Sequence, residues 1–196
     1  MYSKLQWVVC VLAVAVVTPT AWAQAQPAAP ANTPIDGHVR LQWLLDENLG
    51  IESELDDVAV GGVQTLLKTP KEYGTHWDGF GERIGLVTAD YALKSTMEVS
   101  LGSIWGEDPR YFKTTGLSMK GRMACVVKMT FMAHNRDGKD MPAYSRFIAF
   151  PAAGFIANSW TPRSENSAAD AVVRVGLGFL SRMGENAWKE FIARRH

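Results

Sequence analysis

Asp90, Lys94 and Glu98 recur at four-residue intervals, with Arg83 seven residues before Asp90, so on a helix these charged side chains form one row. Two carboxylates in such a row serve as general acid and base if one is desolvated enough to raise its pKa. Arg110 or Arg163 would then clamp an anionic group of the substrate. Those residue types point to a small hydrolase or transferase acting on an envelope lipid or glycan, with Asp90 and Glu98 as the candidate catalytic pair. The favoured expectation is plainer: a solvated helix face neutralised by pairs four residues apart.

Other chemistries find less support. His38, His76, His134 and His196 are far apart, with no HExxH and no CxxC, so neither a metal nor a cofactor is expected. Asn135 to Asp140 resembles part of a calcium loop, but aligning Gly138 with the invariant glycine puts Ala133 and Tyr144 at the end ligand positions. Gly116-Leu117-Ser118-Met119-Lys120-Gly121 misses the nucleophile elbow by one residue, and Ser118 reads better as the start of a helix. Gly176-Leu177-Gly178 follows no strand and has Ser181 where a third glycine belongs, so it is no dinucleotide fingerprint. Cys125, between Ala124 and Val126, is expected to be a buried small hydrophobe.

Composition sets the compartment. Met1 to Ala23 combines one positive charge at Lys4, an apolar run from Trp7 to Val17 and small residues at Ala21 and Ala23, the pattern of a secretory signal peptide cleaved after Ala23. The run is too short for a membrane anchor. Cys10 lies inside it, not after the cleavage point, so no lipid anchor is expected. Gln24 to Pro34 (QAQPAAPANTP) reads as a flexible leader, and one domain follows over 35–196. Twenty basic and twenty acidic residues cancel, and the signal carries only Lys4, so the exported chain is near neutral and no nucleic-acid partner is expected. Cys125 alone remains after cleavage and permits no internal disulfide.

The domain reads as all-α, a single compact bundle of about four or five helices. Ser53 with Asp56 resembles a capping box, ahead of Leu55, Val58, Ala59, Val63, Leu66 and Leu67 in a helix near 54–68. Asp78 caps a longer helix ending near Gly106. Gly81, Gly85 and Ala89 repeat every four residues along it, a spacing that lets helix backbones approach closely in a crowded core. Asp108-Pro109 reads as an N-cap with proline at the first helical position. Ser167 and Asp170 open the best-supported helix, with Val173, Leu177, Leu180, Gly184, Ala187 and Phe191 on one stripe and the pairs Asp170–Arg174, Glu185–Lys189 and Glu190–Arg194 opposite. Between 121 and 160, two antiparallel helices joined by Asn135-Arg136-Asp137-Gly138 are favoured, because Ala149, Ala153 and Ala157 keep a helical period. An α+β alternative places a hairpin near 123–150.

Pro70-Lys71-Glu72-Tyr73-Gly74, Gly79-Phe80-Gly81-Glu82-Arg83-Ile84-Gly85 and Glu107-Asp108-Pro109-Arg110-Tyr111-Phe112, with Asn158 and Pro162 further on, resemble the segments of a family of small exported acidobacterial proteins without established activity. Gly106 and Glu107 stand where that family usually has His or Gln and the following acid. The resemblance implies an exported helical protein. Within its segments, Arg110, Tyr111, Asn158 and Arg163 are candidate binding residues, and Asp108, Pro109, Gly81 and Gly85 structural ones. Arg110 is expected to be buried against a helix end or an acid of a neighbouring segment, as a clasp. The leading functional expectation is a non-enzymatic envelope protein, periplasmic or peripherally attached to a membrane, that works by binding. A membrane surface or another envelope component is its expected partner.

Overall fold

Asp36 opens the fold by accepting a hydrogen bond from the Val39 N–H at 2.8 Å, which caps α1 (Gly37–Leu49). This helix has no counterpart in the elements expected from sequence. The structure, a computed structural model, describes residues 35–192. The expected signal peptide and leader lie outside the described residues. Helix α2 (Ile51–Leu67) follows after Gly50, where a Cβ would lie 2.3 Å from the Asp46 carbonyl oxygen. Gly50 therefore takes the N-cap position, and Ser53 sits inside α2 with its hydroxyl donating to the Glu47 carbonyl at 2.7 Å, not in a capping box.

The longest helix, α3 (Trp77–Trp105), is about 44 Å from end to end. His76 is at its N-cap and Asp78 in its first turn, two positions after the cap it was expected to occupy. It ends at Gly106, whose φ of +74° supplies the left-handed terminus. The chain then runs extended, so Asp108-Pro109 starts no helix: the Asp108 N–H donates to the His134 carbonyl at 2.8 Å and its carboxylate is taken by Arg110. Ser118 does start a helix, α4 (Met119–Phe131), accepting from the Gly121 N–H at 3.3 Å. Strands β1 (Met132–His134) and β2 (Asp140–Pro142) form a short antiparallel pair around Asn135, whose Oδ1 accepts from the Asp137 and Lys139 N–H groups. The favoured helical pair is thus present, as α4 and α5 (Tyr144–Ile156), with a miniature hairpin in place of the bare polar loop. Helix α6 (Ala168–Phe191) carries the expected capping box, Ser167 and Asp170 binding each other's backbone N–H. The whole is an all-α bundle, with α3 packed on α1, α2 and α5, and α6 packed on α4 and α5.

What lies between the helices reverses the usual arrangement. Apart from alanines, the buried apolar side chains among the described residues are Ile35, Trp43, Pro70, Val87, Pro109, Val126 and Phe150. Buried with them are Arg40, Asp57, Arg83, Glu98, Glu107, Asp108, Arg146, Glu165, Arg174, Arg182 and Glu190. Helix crossings are made by small residues: a Cβ on Gly61 would lie 2.9 Å from Ile84, on Gly154 3.1 Å from Val175, and on Gly178 3.1 Å from Phe150. Ala149, Ala153 and Ala157 form the buried face of α5 and its continuation, as their spacing predicts.

Large apolar groups point outward on every helix. Leu41, Leu45 and Leu49 line the exposed side of α1, and Leu55, Val58 and Leu66 that of α2. On α5 the exposed residues are Tyr144, Phe147, Ile148, Phe155 and Ile156. Two expectations are corrected here. The apolar stripe of α6 is not its buried side: Leu180 and Gly184 are exposed and the rest half-buried, while Arg174 and Glu190 from the opposite face are buried. Gly81, Gly85 and Ala89 also face outward, and a Cβ on either glycine would meet nothing within 4 Å. A helical period identifies a face without identifying the medium it faces.

Candidate functional site

Glu98 is two turns along α3 from Asp90 and 2% exposed, which removes it from the solvated row expected of it. Its Oε1 accepts from Arg146 Nε at 3.0 Å and Nη2 at 2.9 Å, and its Oε2 from Arg182 Nη2 at 2.7 Å. Arg146 comes from α5 and Arg182 from α6, so one carboxylate ties together three helices. Arg146 Nη1 also donates to the Met129 and Thr130 carbonyls at the end of α4. Arg182 reaches on to Glu185 at 3.0 Å and Glu47 at 3.5 Å, and Lys189 to Glu47 at 3.8 Å. Burial and the adjoining Glu47 push the Glu185 carboxyl up to about 7 against the pull of Arg182. Burial opposes the Glu47 charge, and Lys189 and Arg182 more than offset it, holding that carboxyl below the ordinary range. This network can hold helices and charges in register, and its central carboxylate has its oxygens committed to guanidinium groups.

Asp90 is elsewhere. Eight residues separate it from Glu98, about 12 Å along the helix axis, and its Oδ1 accepts from Trp160 Nε1 at 3.3 Å. Burial raises its pKa, with Lys94 and Arg174 acting in the opposite sense. Arg163 is exposed in a short 3-10 turn, and Arg110 grips Asp108 through Nη2 at 2.6 Å while stacking 5.2 Å over the Phe112 ring. The structure therefore does not gather Asp90, Glu98, Arg110 and Arg163 into one pocket. Arg110 forms an ion pair within its own segment, with Asp108. Asn158 accepts from Arg174 Nη2 at 2.9 Å, beside the Arg174 bond to the Gly154 carbonyl. Cys125 is half-buried. No group of three or more His, Cys, Asp or Glu suited to a metal ion occurs among the described residues.

Tyr111 joins a second buried carboxylate. Glu190, on the last turn of α6, accepts from Tyr111 Oη at 3.0 Å, the Thr114 N–H at 2.9 Å, Thr114 Oγ1 at 2.7 Å and Arg122 Nε at 2.6 Å. Burial alone would raise its pKa, but the bonds from Arg122, Thr114 and Tyr111 outweigh it and hold Glu190 at about 2. A carboxylate held down in the folded state stabilises fully above its ordinary pKa and loses that contribution as pH falls through its folded value. Unfolding free energy should thus drop by up to about 3 kcal/mol between roughly pH 5 and pH 2 on account of Glu190. Denaturant titrations of the wild type and Glu190→Gln test this: the variant should be weaker at neutral pH and show a flatter acid limb. Equal acid slopes would exclude Glu190 as the source.

Reading the sequence singled out Asp90, Lys94, Glu98 and Arg83 as charged but passed over Arg146, Arg182, Arg122 and Glu190 as a connected set. A signal was present in α6: Arg174, Gly178, Arg182, Asn186 and Glu190 are four residues apart and all buried. Comparison of the chain with protein-family models, with curated proteins and with solved structures gives no match.

Proposed function

We propose that this is an exported envelope protein that works by binding, seated on a membrane through the apolar outer sides of its helices. The carrying observation is the distribution of side chains: ion pairs and small residues are the most deeply buried, and each helix exposes two or more large apolar side chains. In water this arrangement forgoes the main driving force for folding. Against hydrocarbon it is the favoured one, because charges must pair internally and apolar groups need not be hidden. Exposed apolar side chains occur on all six helices, and a lipid layer is the occupant that accepts such groups without a matching protein surface. No helix of the described residues is long and apolar enough to cross a membrane by itself, which favours a seat in the membrane surface. The signal-like segment 1–23 and the resemblance to small exported proteins support placement in the envelope.

Flotation of the processed protein with liposomes tests the reading. The protein should rise with the vesicles and, without lipid or detergent, self-associate. Phe147→Ser with Phe155→Ser should weaken flotation by about tenfold or more while helix content persists, since each ring removed from lipid forfeits roughly 2 kcal/mol. A monomer that elutes as a compact globule and ignores vesicles would overturn the proposal.

A further inference from the structure

Helices α5 and α6 differ from the rest of the bundle in where they keep their charges. Asp46 on α1, Glu54 on α2, Asp78 and Glu82 on α3, and Lys120 and Lys128 on α4 are exposed, whereas no exposed residue of α5 or α6 is charged. Both helices turn their charges away from solvent. Arg146, Arg174, Arg182 and Glu190 are buried, Glu185 and Lys189 reach Arg182 and Glu47 at 3.0 and 3.8 Å, and Asp170 is held in the capping box with Ser167. The two helices run antiparallel. The Phe147 ring lies 5.7 Å from that of Phe179, a Cβ on Gly178 would touch Phe150, and one on Gly154 would touch Val175. On each helix the exposed residues are centred about a third of a turn from that seam in the same rotational sense, which in an antiparallel pair puts them on one side. Phe147, Ile148, Phe155, Val172 and Leu180 therefore belong to a single uncharged face, which Phe131 extends at the end of α4, 6.4 Å from Phe147 and 5.5 Å from Phe179. Trp105 and Tyr144, 6.2 Å apart, stand where α5 begins, and Trp160 follows its end. Rings with an apolar body and a polar tip suit the boundary between acyl chains and headgroups. Helix α1 lies behind α6 from this face, where Glu47 meets Arg182.

We infer that the α5–α6 face is the side of the bundle that sinks among lipid acyl chains, with α1 turned away from the membrane. An uncharged face matches the uncharged layer, and the helices that expose charge are left to headgroups and water. The inference rests on the membrane seat proposed above and adds the surface that makes it. Two lysine pairs separate this face from exposed apolar surface in general: Val172→Lys with Leu180→Lys on α6, and Leu41→Lys with Leu45→Lys on α1, at positions 61, 48, 53 and 47% exposed. In flotation of the processed protein with phosphatidylcholine vesicles, the α6 pair should lower binding about tenfold or more and the α1 pair less than about twofold. Should either pair lose helix content, single cysteines in a Cys125→Ser background carry the measurement. A polarity-sensitive dye at Ile148→Cys should be quenched by doxyl-labelled lipid, and one at Leu45→Cys by aqueous iodide. Equal losses from both lysine pairs, or equal lipid quenching at both dyes, overturn the choice of face and leave the membrane seat standing. Wild type that binds no vesicle removes both. A dye at position 148 that is shielded from iodide as protein concentration rises, and stays unquenched by labelled lipid, would make the face a contact between copies of the chain and also overturn the inference.

Discussion

Glu98→Ala should lower the unfolding free energy by about 3–5 kcal/mol, because it leaves the buried Arg146 guanidinium without its carboxylate and takes from Arg182 its shortest ion pair. The size of the effect comes from what is left behind. Arg146 would retain the Met129 and Thr130 carbonyls, at 2.9 and 2.7 Å, but lose both bonds to the acid. Arg182 would retain Glu185 and Glu47. Replacing all three members, as Glu98→Met, Arg146→Met and Arg182→Met together, should be less damaging than the three single losses added, since no member of the triad is left facing an absent partner, although Glu185 loses Arg182. Chemical denaturation in a fixed detergent measures both. A loss below about 1 kcal/mol for Glu98→Ala would mean the triad is screened like a surface pair, and the description of the interior as ionic would fail with it.

The triad also shows where reading the sequence stops. Period, caps and breaks located α3 and α6 closely, because Gly106 and the Ser167–Asp170 box act through local backbone geometry that no tertiary contact is needed to define. The hairpin between α4 and α5 was legible as a polar turn, and its two three-residue strands were too short to carry a period. Helix α1 escaped notice although Asp36 is an ordinary N-cap and Leu41, Leu45 and Leu49 keep a four-residue spacing, since Val39, Trp43 and Leu44 spread apolar groups around the rest of the helix. The orientation of every amphipathic face was read for water. Arg174 and Glu190 were placed outside on the rule that charge seeks solvent, a rule that gives way when each buried charge finds a partner on another helix. Partners dozens of residues apart, such as Glu98 with Arg182, leave no trace in spacing, so the candidate site could be named residue by residue only at Glu98.

Arg83→Met should be as disruptive as loss of Glu98, and it explains the glycine-rich segment around it. Arg83 is fully buried, and no ion pair is described for it. Its Nε donates to the Thr69 carbonyl at 2.7 Å, its Nη1 to Gly79 at 2.8 Å, and its Nη2 to Pro70 and Gly74, each at 2.9 Å, with the Tyr73 ring 5.7 Å away. Burial pushes this guanidinium down from its usual value, against the opposing fields of Glu165 and Glu82. One side chain thereby binds three carbonyls of the turn between α2 and α3 and one in the first turn of α3. The turn can come so near only because residue 79 is glycine: a Cβ there would lie 1.7 Å from the Tyr73 carbonyl oxygen. Arg83→Met leaves those carbonyls unpaired and should cost about 3–5 kcal/mol; Arg83→Lys should recover little, having no planar fork to serve several acceptors at once. Gly79→Ala must displace the turn and should cost a comparable amount. Gly81 and Gly85 in the same segment face open space, so Gly81→Ala and Gly85→Ala should be neutral or raise stability by up to about 1 kcal/mol through helix propensity. Denaturation midpoints of the five variants distinguish the roles. If Gly81→Ala and Gly85→Ala proved as costly as Gly79→Ala, those glycines would be covered in the working protein by something that approaches α3 as closely as a second backbone does, and the lipid-facing assignment of that side of the bundle would be wrong.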